Sequence, residues 1–310
     1  MDSLEDRRAV MGNILDIYTD FYGLTARPFA IAPDPALIYW SSAHKRAYSL
    51  LEYGIITRAP ITLITGEVGT GKTVLIQQLL RSGSEDVTYG LVSNAQGGRD
   101  ELLRWVLLAL GQPAEAGDTY VDLYARFEEH LVEEYAAGRR VVLVFDEAQN
   151  LTAESLEEIR MFTNINTGTD ELLQVVLVGL PELRERILKP GLRAFAQRVT
   201  AAFHIPPMDA ATTAAYVAHR LACVGGTAPL FTPEAVAMIH DQARGVPRLT
   251  NQLCDFAMVY AFSKGSPEVD RLTVQQVLRD GVFFAGIEPA SISAEEETVR
   301  VPMFRAGREG

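Results

Sequence analysis

The chain has 310 residues, of which 48% are hydrophobic and 22% are charged, and its formal net charge is −12. This length accommodates one large domain or two ordinary ones with a well-packed core. The acidic balance argues against a general nucleic-acid binder, although a local basic patch is compatible with it. No apolar stretch approaches the roughly 18 residues of a membrane helix, and the charged N-terminus lacks the apolar region of a secretion signal, so we expect a cytoplasmic protein.

The first two thirds of the chain alternate between short apolar runs and helical patterns. An extended segment is predicted before Tyr39, because Pro28, Pro33 and Pro35 each disfavour helix at the preceding residue, and a helix is predicted over 42–56. Strands are predicted over 61–65, 89–94, 141–145, 172–179 and 199–205, and helices over 72–81, 100–110, 119–137, 152–163 and 181–198. Near-continuous apolar strands separated by helices predict a parallel sheet that helices cover on both faces.

The character of the sequence changes after residue 207, where helices are predicted over 209–222, 232–243, 247–264 and 272–280 and no strand pattern appears. Asp209, Thr232 and Thr273 are the expected N-caps. Cys223 and Cys254 lie in this part without metal-binding spacing, so we expect buried thiols in a reducing compartment. The predicted division is a flexible N-terminus (1–20), an α/β core (21–206), a helical domain (207–285) and a flexible tail (286–310).

The segment GEVGTGKT (66–73) follows the predicted strand ITLIT and precedes an amphipathic helix. A strand before the loop and a helix after it are what the phosphate-binding loop pattern GxxxxGK[ST] requires. The alternative, a glycine-rich turn that binds no ligand, does not require these neighbours. Glycines let the backbone N–H groups point at phosphate, Lys72 is expected to reach the β- and γ-phosphates, and the Thr73 hydroxyl is expected to hold Mg²⁺. The candidate nucleotide-binding residues are Gly66, Glu67, Val68, Gly69, Thr70, Gly71, Lys72, Thr73 and Val74.

Two acids, Asp146 and Glu147, end the apolar run VVLVF. A buried strand that ends in aspartate places a carboxylate beside the phosphate-binding loop, so Asp146 is the candidate metal ligand together with Thr73. Glu147 is the candidate base that polarises the attacking water. The alternative is that both are exposed acids that open a loop before the helix at 152–163.

Three arginines are candidates for contact with phosphate. Arg193 and Arg198 precede the fifth strand, where ring-forming ATPases carry an arginine that reaches the γ-phosphate of the neighbouring subunit, and Arg198 is the preferred choice because it directly precedes the strand. Arg248 lies in the first turn of a predicted helix, where the helix dipole disfavours a cation, so contact with phosphates in its own subunit is a reason for its presence. Solvated surface arginines are the alternative for all three.

These motifs, taken together, resemble the AAA+ ATPases of the general secretion pathway protein A group, which includes ATPases of pilus and exopolysaccharide-export systems. The matching segments cover residues 20–280 in the order YGLTARPFAIAPDP, YWSSAHKRAYSLLEYGI, ITGEVGTGKT, VVLVFDEAQNL, LLQVVLVGLPEL, AQRV and GVPRLTNQLCDFA. The resemblance implies an αβα core with strand order 5-1-4-3-2, a helical lid, ATP and Mg²⁺ as cofactors, and assembly into a hexamer-like ring of identical subunits. It also implies service to a cell-envelope assembly.

The resemblance also assigns residues and identifies departures. It implies that Gln149 relays the state of the γ-phosphate, that Gly179 lies in the sensor region, and that the segment before Tyr39 wraps the adenine side of the nucleotide. The family usually has glutamine where this chain has Leu180, which leads us to expect slow hydrolysis. Better-known members continue into a membrane span and a peptidoglycan-binding region, and the sequence predicts neither, so a membrane-associated partner is expected to recruit this protein to the inner membrane.

Two other readings of the motifs remain open. A DNA-associated AAA+ regulator of transposition or initiation would share the same nucleotide motifs, but the net charge of −12 and the lack of a basic cluster make nucleic acid an unlikely partner. An ATP-bound scaffold with very slow turnover is the second, and Leu180 is its motivation. Nucleotide-dependent oligomer formation and phosphate release distinguish these from a turning-over ring ATPase.

Overall fold

The computed structural model describes residues 18–30, 34–93, 99–168, 170–226 and 229–283. Over these residues the chain builds one five-stranded sheet in the order β2-β3-β4-β1-β5, with parallel neighbours throughout. Its strands are β1 (Ile61–Gly66), β2 (Val87–Ser93), β3 (Arg140–Asp146), β4 (Leu173–Gly179) and β5 (Val199–Ile205). The predicted strand order and fold class are confirmed. The predicted tail (286–310) and residues 1–17 of the predicted flexible N-terminus lie outside the described residues.

Helices flank the sheet and then continue without strands to the end of the described chain. They are α1 (Thr19–Tyr22), α2 (Ser42–Ile56), α3 (Lys72–Arg81), α4 (Arg99–Ala109), α5 (Tyr120–Ala136), α6 (Ala153–Phe162), α7 (Pro181–Ile187), α8 (Arg193–Arg198), α9 (Ala210–Cys223), α10 (Pro233–Ala243), α11 (Pro247–Ser263) and α12 (Arg271–Arg279). The single helix predicted over 181–198 is wrong. A 3₁₀ turn at Pro190–Leu192 divides it into α7 and α8, because Pro190 cannot donate the backbone hydrogen bond that a continuous helix needs. None of the helices in the described ranges has the length and apolar character needed to cross a membrane.

Of the three N-caps predicted for the later helices, the structure has two at the predicted residue. The side chains of Asp209 and Thr232 accept hydrogen bonds from backbone N–H groups of the first turns of α9 and α10, as predicted. The prediction of Thr273 as a cap is wrong. Asp270 caps α12, and its carboxylate accepts the Thr273 N–H at 2.8 Å, so Thr273 lies inside the helix.

The sheet separates two apolar cores, and alternate residues of each strand face opposite sides. Leu143 and Phe145 of β3 pack on the side of α4, α5 and α6. Val142 and Val144 pack on the side of α2 and α3. Because both faces are covered, every residue of β4 is buried. The site described below lies at the carboxyl ends of these strands.

A third apolar core joins helices α9–α12, which we call the helical lid, to residues 18–30 and 34–39, which we call the N-terminal strap. Asp255 of α11 accepts hydrogen bonds from the hydroxyl of Tyr18 and from the guanidinium of Arg27, so one lid carboxylate holds two points of the strap. Cys254 is buried in this core as predicted, whereas Cys223 is exposed at the end of α9, so the expectation of two buried thiols is wrong.

Candidate nucleotide-binding site

The glycine-rich loop connects β1 to α3 at the carboxyl end of the sheet. Gly69 and Gly71 adopt φ values of 81° and 93°, a left-handed region that glycine occupies at little cost, and Gly71 caps α3. Lys72 begins the helix and is buried, with its Nζ donating to the carbonyls of Gly66 at 2.8 Å and Glu67 at 3.0 Å. The loop therefore has the curled backbone and the helix N-terminus that suit a phosphate group.

The lid closes over this loop through the start of α11. The backbone N–H of Arg248 donates to the Gly69 carbonyl at 3.3 Å, and a Cβ on Gly69 would lie 2.7 Å from the Cβ of Arg248. The Arg248 side chain lines a cavity, which we call the phosphate cavity, together with Val68, Lys72 and Thr73. The structure thus brings Arg248 next to the loop residues that the sequence selected.

Asp146 and Glu147 meet the loop from the end of β3. The Thr73 hydroxyl donates to Asp146 Oδ2 at 3.4 Å, and the backbone N–H of Glu147 donates to Asp146 Oδ1 at 2.9 Å. Burial raises the pKa of the Asp146 carboxyl, and the neighbouring Glu147 charge acts in the same direction. Burial also lowers the pKa of Lys72, which these two acids oppose. A hydroxyl and a carboxylate this close are oxygen donors of the kind that Mg²⁺ prefers, and the remaining ligands would come from phosphates and water.

Glu147 has a strained backbone. Its φ of 53° and ψ of 36° place it in the left-handed region, which is uncommon for a residue with a side chain. Such strain persists where the surrounding structure holds it, and it is concentrated at functional sites. The conformation turns the chain sharply between β3 and the 3₁₀ turn Ala148–Asn150, and Glu147 lines the phosphate cavity.

Gln149 connects Glu147 to the end of β4. Its Nε2 donates to Glu147 Oε2 at 2.6 Å, and its Oε1 accepts the backbone N–H of Leu180 at 3.0 Å. These two partners define the orientation of the amide, because a carboxylate only accepts and a backbone N–H only donates. Gly179 permits the approach, since a Cβ there would lie 2.9 Å from Gln149 Oε1. Arg186 of α7 donates to the Gln149 carbonyl at 3.0 Å and so holds the turn in place.

The contact between Gln149 and the Leu180 backbone bears on the expectation of slow hydrolysis drawn from Leu180. At this position the chain uses a backbone N–H, which any residue except proline supplies, and the polar side chain comes from Gln149. The end of β4 therefore carries a polar group beside Glu147 although residue 180 is apolar. Leu180 gives no structural reason to expect slow hydrolysis.

A second, more apolar cavity adjoins the phosphate cavity, and both are lined by Gly71, Val74, Tyr216, Arg220 and Pro247. The second cavity, which we call the apolar cavity, extends under the N-terminal strap. Pro35, Ile38 and Tyr39 of the strap line it together with Thr70 and Gly71 of the glycine-rich loop. An elongated ligand with a charged end and a flat apolar end fits two cavities of this kind.

Comparisons with known proteins agree with this geometry. Residues 56–187 match the sequence profile described as AAA domain. Over 253 residues the chain is 38% identical to general secretion pathway protein A of Aeromonas hydrophila, and the match covers 82% of this chain. The chain belongs to the AAA+ family. The resemblance to general secretion pathway protein A is thereby confirmed, and the matched part spans 46% of that relative.

Solved AAA+ structures share the fold at low sequence identity. The ORC2 protein of Aeropyrum pernix, in ADPNP–ADP complexes, superposes with a TM-score of 0.61 at 17% identity over 82% of this chain and 71% of that one. Cdc6p of Pyrobaculum aerophilum gives 0.61 at 17% identity over 77% of this chain and 68% of that one. Drosophila ORC bound to DNA gives 0.62 at 18% identity, over 82% and 64% respectively. At this level of identity the likeness shows the AAA+ fold.

The two arginines before β5 differ in their surroundings in this AAA+ core. Arg198 is half-buried, and its guanidinium donates to the Thr163 carbonyl at 3.3 Å, to Glu171 Oε1 at 3.4 Å and to the side chain of Asn164. It therefore fastens the start of β5 to the loop after α6. Arg193, at the start of α8, is exposed. The structure does not bring either arginine to the phosphate cavity of the same subunit, whose lining contains neither.

Sequence reasoning missed the support behind the glycine-rich loop. His44 Nε2 lies 2.8 Å from the Thr70 carbonyl, so this nitrogen is the donor, and Nδ1 lies 2.7 Å from the Ser41 hydroxyl. Burial lowers the pKa of His44, which favours the neutral ring with its proton on Nε2. His44 therefore braces the loop from α2. A lone histidine in an amphipathic helix gives no pattern from which this contact could be predicted.

Proposed function

We propose that this AAA+ protein binds ATP with Mg²⁺ and hydrolyses it. The observation that carries the proposal is the convergence of Lys72 and Thr73 from the glycine-rich loop with Asp146 and Glu147 from β3. Backbone N–H groups of the loop and the Lys72 ammonium would bind the β- and γ-phosphates. Thr73 and Asp146 would hold Mg²⁺, which supplies charge neutralisation between the phosphates when bound.

In this proposal Glu147 is the base for the attacking water. Its carboxylate lines the phosphate cavity, and the hydrogen bond from Gln149 restricts where its oxygens point. A fixed carboxylate beside the γ-phosphate can accept a proton from water in the transition state. Arg248, held against the loop at Gly69, would add positive charge from the lid as charge develops on the phosphate oxygens.

The Glu147→Gln variant tests this assignment. The neutral amide keeps the size of the side chain but cannot accept the proton, so we expect ATP affinity within about twofold of the parent and turnover reduced by at least about 100-fold. Glu154→Gln, the same change at an exposed residue in the first turn of α6, is the matched control. Unchanged turnover in Glu147→Gln, measured by phosphate release, would exclude Glu147 as the base.

We further propose that hydrolysis occurs in a ring-like oligomer of identical subunits, with an arginine acting across the interface. The contacts of Arg198 to its own subunit favour Arg193 for this role, which reverses the preference drawn from the sequence. An arginine that must reach a neighbour's phosphate needs an uncommitted side chain. The absence of both arginines from their own phosphate cavity is compatible with action in trans.

A mixing experiment tests action in trans. Arg193→Ala retains Glu147 and loses the proposed arginine, whereas Glu147→Gln retains Arg193 and loses the base. Each variant alone is expected to be inactive, and mixed oligomers are expected to regain phosphate release because some sites combine an intact base with a neighbour's arginine. Arg184→Ala, at an exposed position in α7, is the control. Mass measurement with and without ATP checks that nucleotide drives assembly, and an active Arg193→Ala variant would refute the role of Arg193.

The similarity to general secretion pathway protein A supports a place in cell-envelope assembly, such as secretion, pilus formation or polysaccharide export. We propose that the protein acts on the cytoplasmic side, where ATP is available, through a membrane-associated partner protein. The DNA-regulator alternative has no comparable support, because the likeness to DNA-bound ORC at 18% identity is one of fold. Co-purification with the products of neighbouring genes, with and without ATP, tests the assignment. An ATP-independent, salt-sensitive association with DNA would contradict it.

A further inference from the structure

The N-terminal strap packs on the lid and not on the α/β core. Phe29 stacks edge-on against Phe231 with ring centroids 5.7 Å apart, and Tyr39 does so against Tyr216 at 5.7 Å. The backbone N–H of Thr25 donates to a carbonyl at the end of α9 at 2.9 Å. The buried strap residues Tyr18, Leu24, Phe29 and Leu37 belong to the core of the lid. Strap and lid therefore form one structural unit that faces the glycine-rich loop across the apolar cavity.

Arg220 of α9 joins two separate arms of the strap. The residue is 6% exposed, and its Nε donates to the Pro28 carbonyl at 2.6 Å. Its two terminal nitrogens donate to the Leu37 carbonyl at 3.2 Å and the Ala30 carbonyl at 3.3 Å. A planar guanidinium offers donors in a fixed fork, which a lysine ammonium does not. One side chain thus determines how residues 28–30 and Leu37 of the strap lie relative to each other.

The surroundings of this cation are unusual. Among the described residues no carboxylate forms an ion pair with Arg220, although buried charges in proteins are normally paired. Its partners are backbone carbonyls, and its guanidinium carbon lies 5.8 Å from the centre of the Tyr216 ring. Arg220 also lines both the apolar cavity and the phosphate cavity. A buried arginine that donates from all three of its nitrogens to backbone carbonyls of one segment is suited to holding that segment's shape.

We propose that Arg220 is a positioning residue that holds the N-terminal strap over the base end of a bound nucleotide. Pro35, Ile38 and Tyr39 of the strap line the apolar cavity and not the phosphate cavity, whereas Lys72 and Thr73 line the phosphate cavity. Arg220 and the strap residue Ala30 also line the phosphate cavity, but the hydrogen bonds of Arg220 go to strap carbonyls, so we expect Arg220 to affect the affinity for a ligand that carries a base more than the affinity for phosphates alone. This inference rests on the proposed binding of ATP.

The test compares ATP with inorganic tripolyphosphate, which has the phosphates but no base. Affinities of both ligands are measured by calorimetric titration with Mg²⁺ for the parent, Arg220→Met, Arg220→Lys and the control Arg279→Met, which changes an exposed arginine of α12. For Arg220→Met we expect ATP affinity to fall by about tenfold or more, with tripolyphosphate affinity within about twofold. Arg220→Lys is expected to lie between this variant and the parent, and Arg279→Met to match the parent.

An equal loss for both ligands would show a general effect on folding and overturn the proposal, as would no loss for either. Amide hydrogen exchange of the unmodified protein gives a second measurement that does not depend on the variants folding. We expect both ligands to protect amides of the glycine-rich loop, and ATP to protect amides of the strap more strongly than tripolyphosphate does. Equal protection of the strap by both ligands would overturn the proposal. Failure of the unmodified protein to bind either ligand would instead refute the proposed function.

Discussion

The contact between Gln149 and Glu147 predicts a specific loss of turnover. In Gln149→Ala the donor that lies 2.6 Å from Glu147 Oε2 disappears, and the Leu180 N–H loses its acceptor at 3.0 Å. A hydrogen bond to a charged group contributes about 1.5–3 kcal/mol, and each 1.4 kcal/mol corresponds to about tenfold in rate, so kcat is expected to fall roughly 10- to 100-fold. Gln149 does not line the phosphate cavity, so ATP affinity is expected to stay within about twofold.

Steady-state phosphate release gives kcat, and calorimetric titration gives the affinity for ATP. Gly179→Ala disturbs the hydrogen bond between Gln149 and Leu180, because the added Cβ would lie 2.9 Å from Gln149 Oε1 and 2.9 Å from a methyl carbon of Leu183. It is expected to lower kcat in the same way. Gln276→Ala, at an exposed position in α12, is the control. A kcat within twofold of the parent in Gln149→Ala would refute the reasoning, and a matching fall in thermal stability would assign the loss to folding.

Three further perturbations follow from the structure. Gly69→Ala would place a Cβ 2.7 Å from Arg248 Cβ at a φ of 81°, so ATP affinity in a titration is expected to fall by at least about tenfold, and normal affinity would refute the close approach. Arg139 and Thr88 hold the pKa of Glu134 down at about 2 from its ordinary 4.5, so Glu134 stabilises the fold fully above pH 4.5 and loses this effect as the pH falls toward 2. Glu134→Gln is therefore expected to lower the free energy of unfolding by about 1–2 kcal/mol at pH 7, and a denaturant titration that finds the same difference near pH 2 would contradict this. Burial raises the pKa of Asp146, so protons compete with Mg²⁺ at a higher pH than for an exposed carboxyl, and Mg²⁺-dependent ATP affinity in a titration is expected to fall more steeply with decreasing pH in the parent than in Asp146→Asn; equal pH dependence in both would contradict this.

The strands of the sheet could be predicted because each is a short apolar run that is recognisable without its neighbours. Apart from Gln174, the run over 172–179 is apolar on both faces, and such a strand is stable only between two layers of helices. The glycine-rich loop was equally predictable, because Gly69 and Gly71 occupy backbone conformations that other residues rarely adopt. The break between α7 and α8 was missed because a helical pattern continues on both sides of Pro190.

Residues whose contacts come from distant parts of the chain were not predictable in the same way. Arg198 was preferred for its position before β5, but Asn164 and Glu171, to which it is bound, approach only when α6 and β4 have packed. The contact of the Leu180 N–H was missed for the same reason, since its acceptor belongs to the side chain of Gln149, and the slow hydrolysis expected from Leu180 stays a prediction. A sequence motif identifies the residues that contact a ligand. It is less reliable for the residues that support the motif from other parts of the chain.

Helix α11 touches three parts of the molecule along one face. The backbone N–H of Arg248 meets the glycine-rich loop, the Asn251 side chain accepts the Tyr216 hydroxyl at 2.7 Å, and Asp255 holds the N-terminal strap. Spacings of three and four residues keep these contacts on one side of the helix, and seven residues span about 10 Å. Helix α11 thus connects the glycine-rich loop, at its first turn, to the N-terminal strap as one rigid element. A small tilt of that turn, on nucleotide entry or loss, would displace the N-terminal strap two helical turns away.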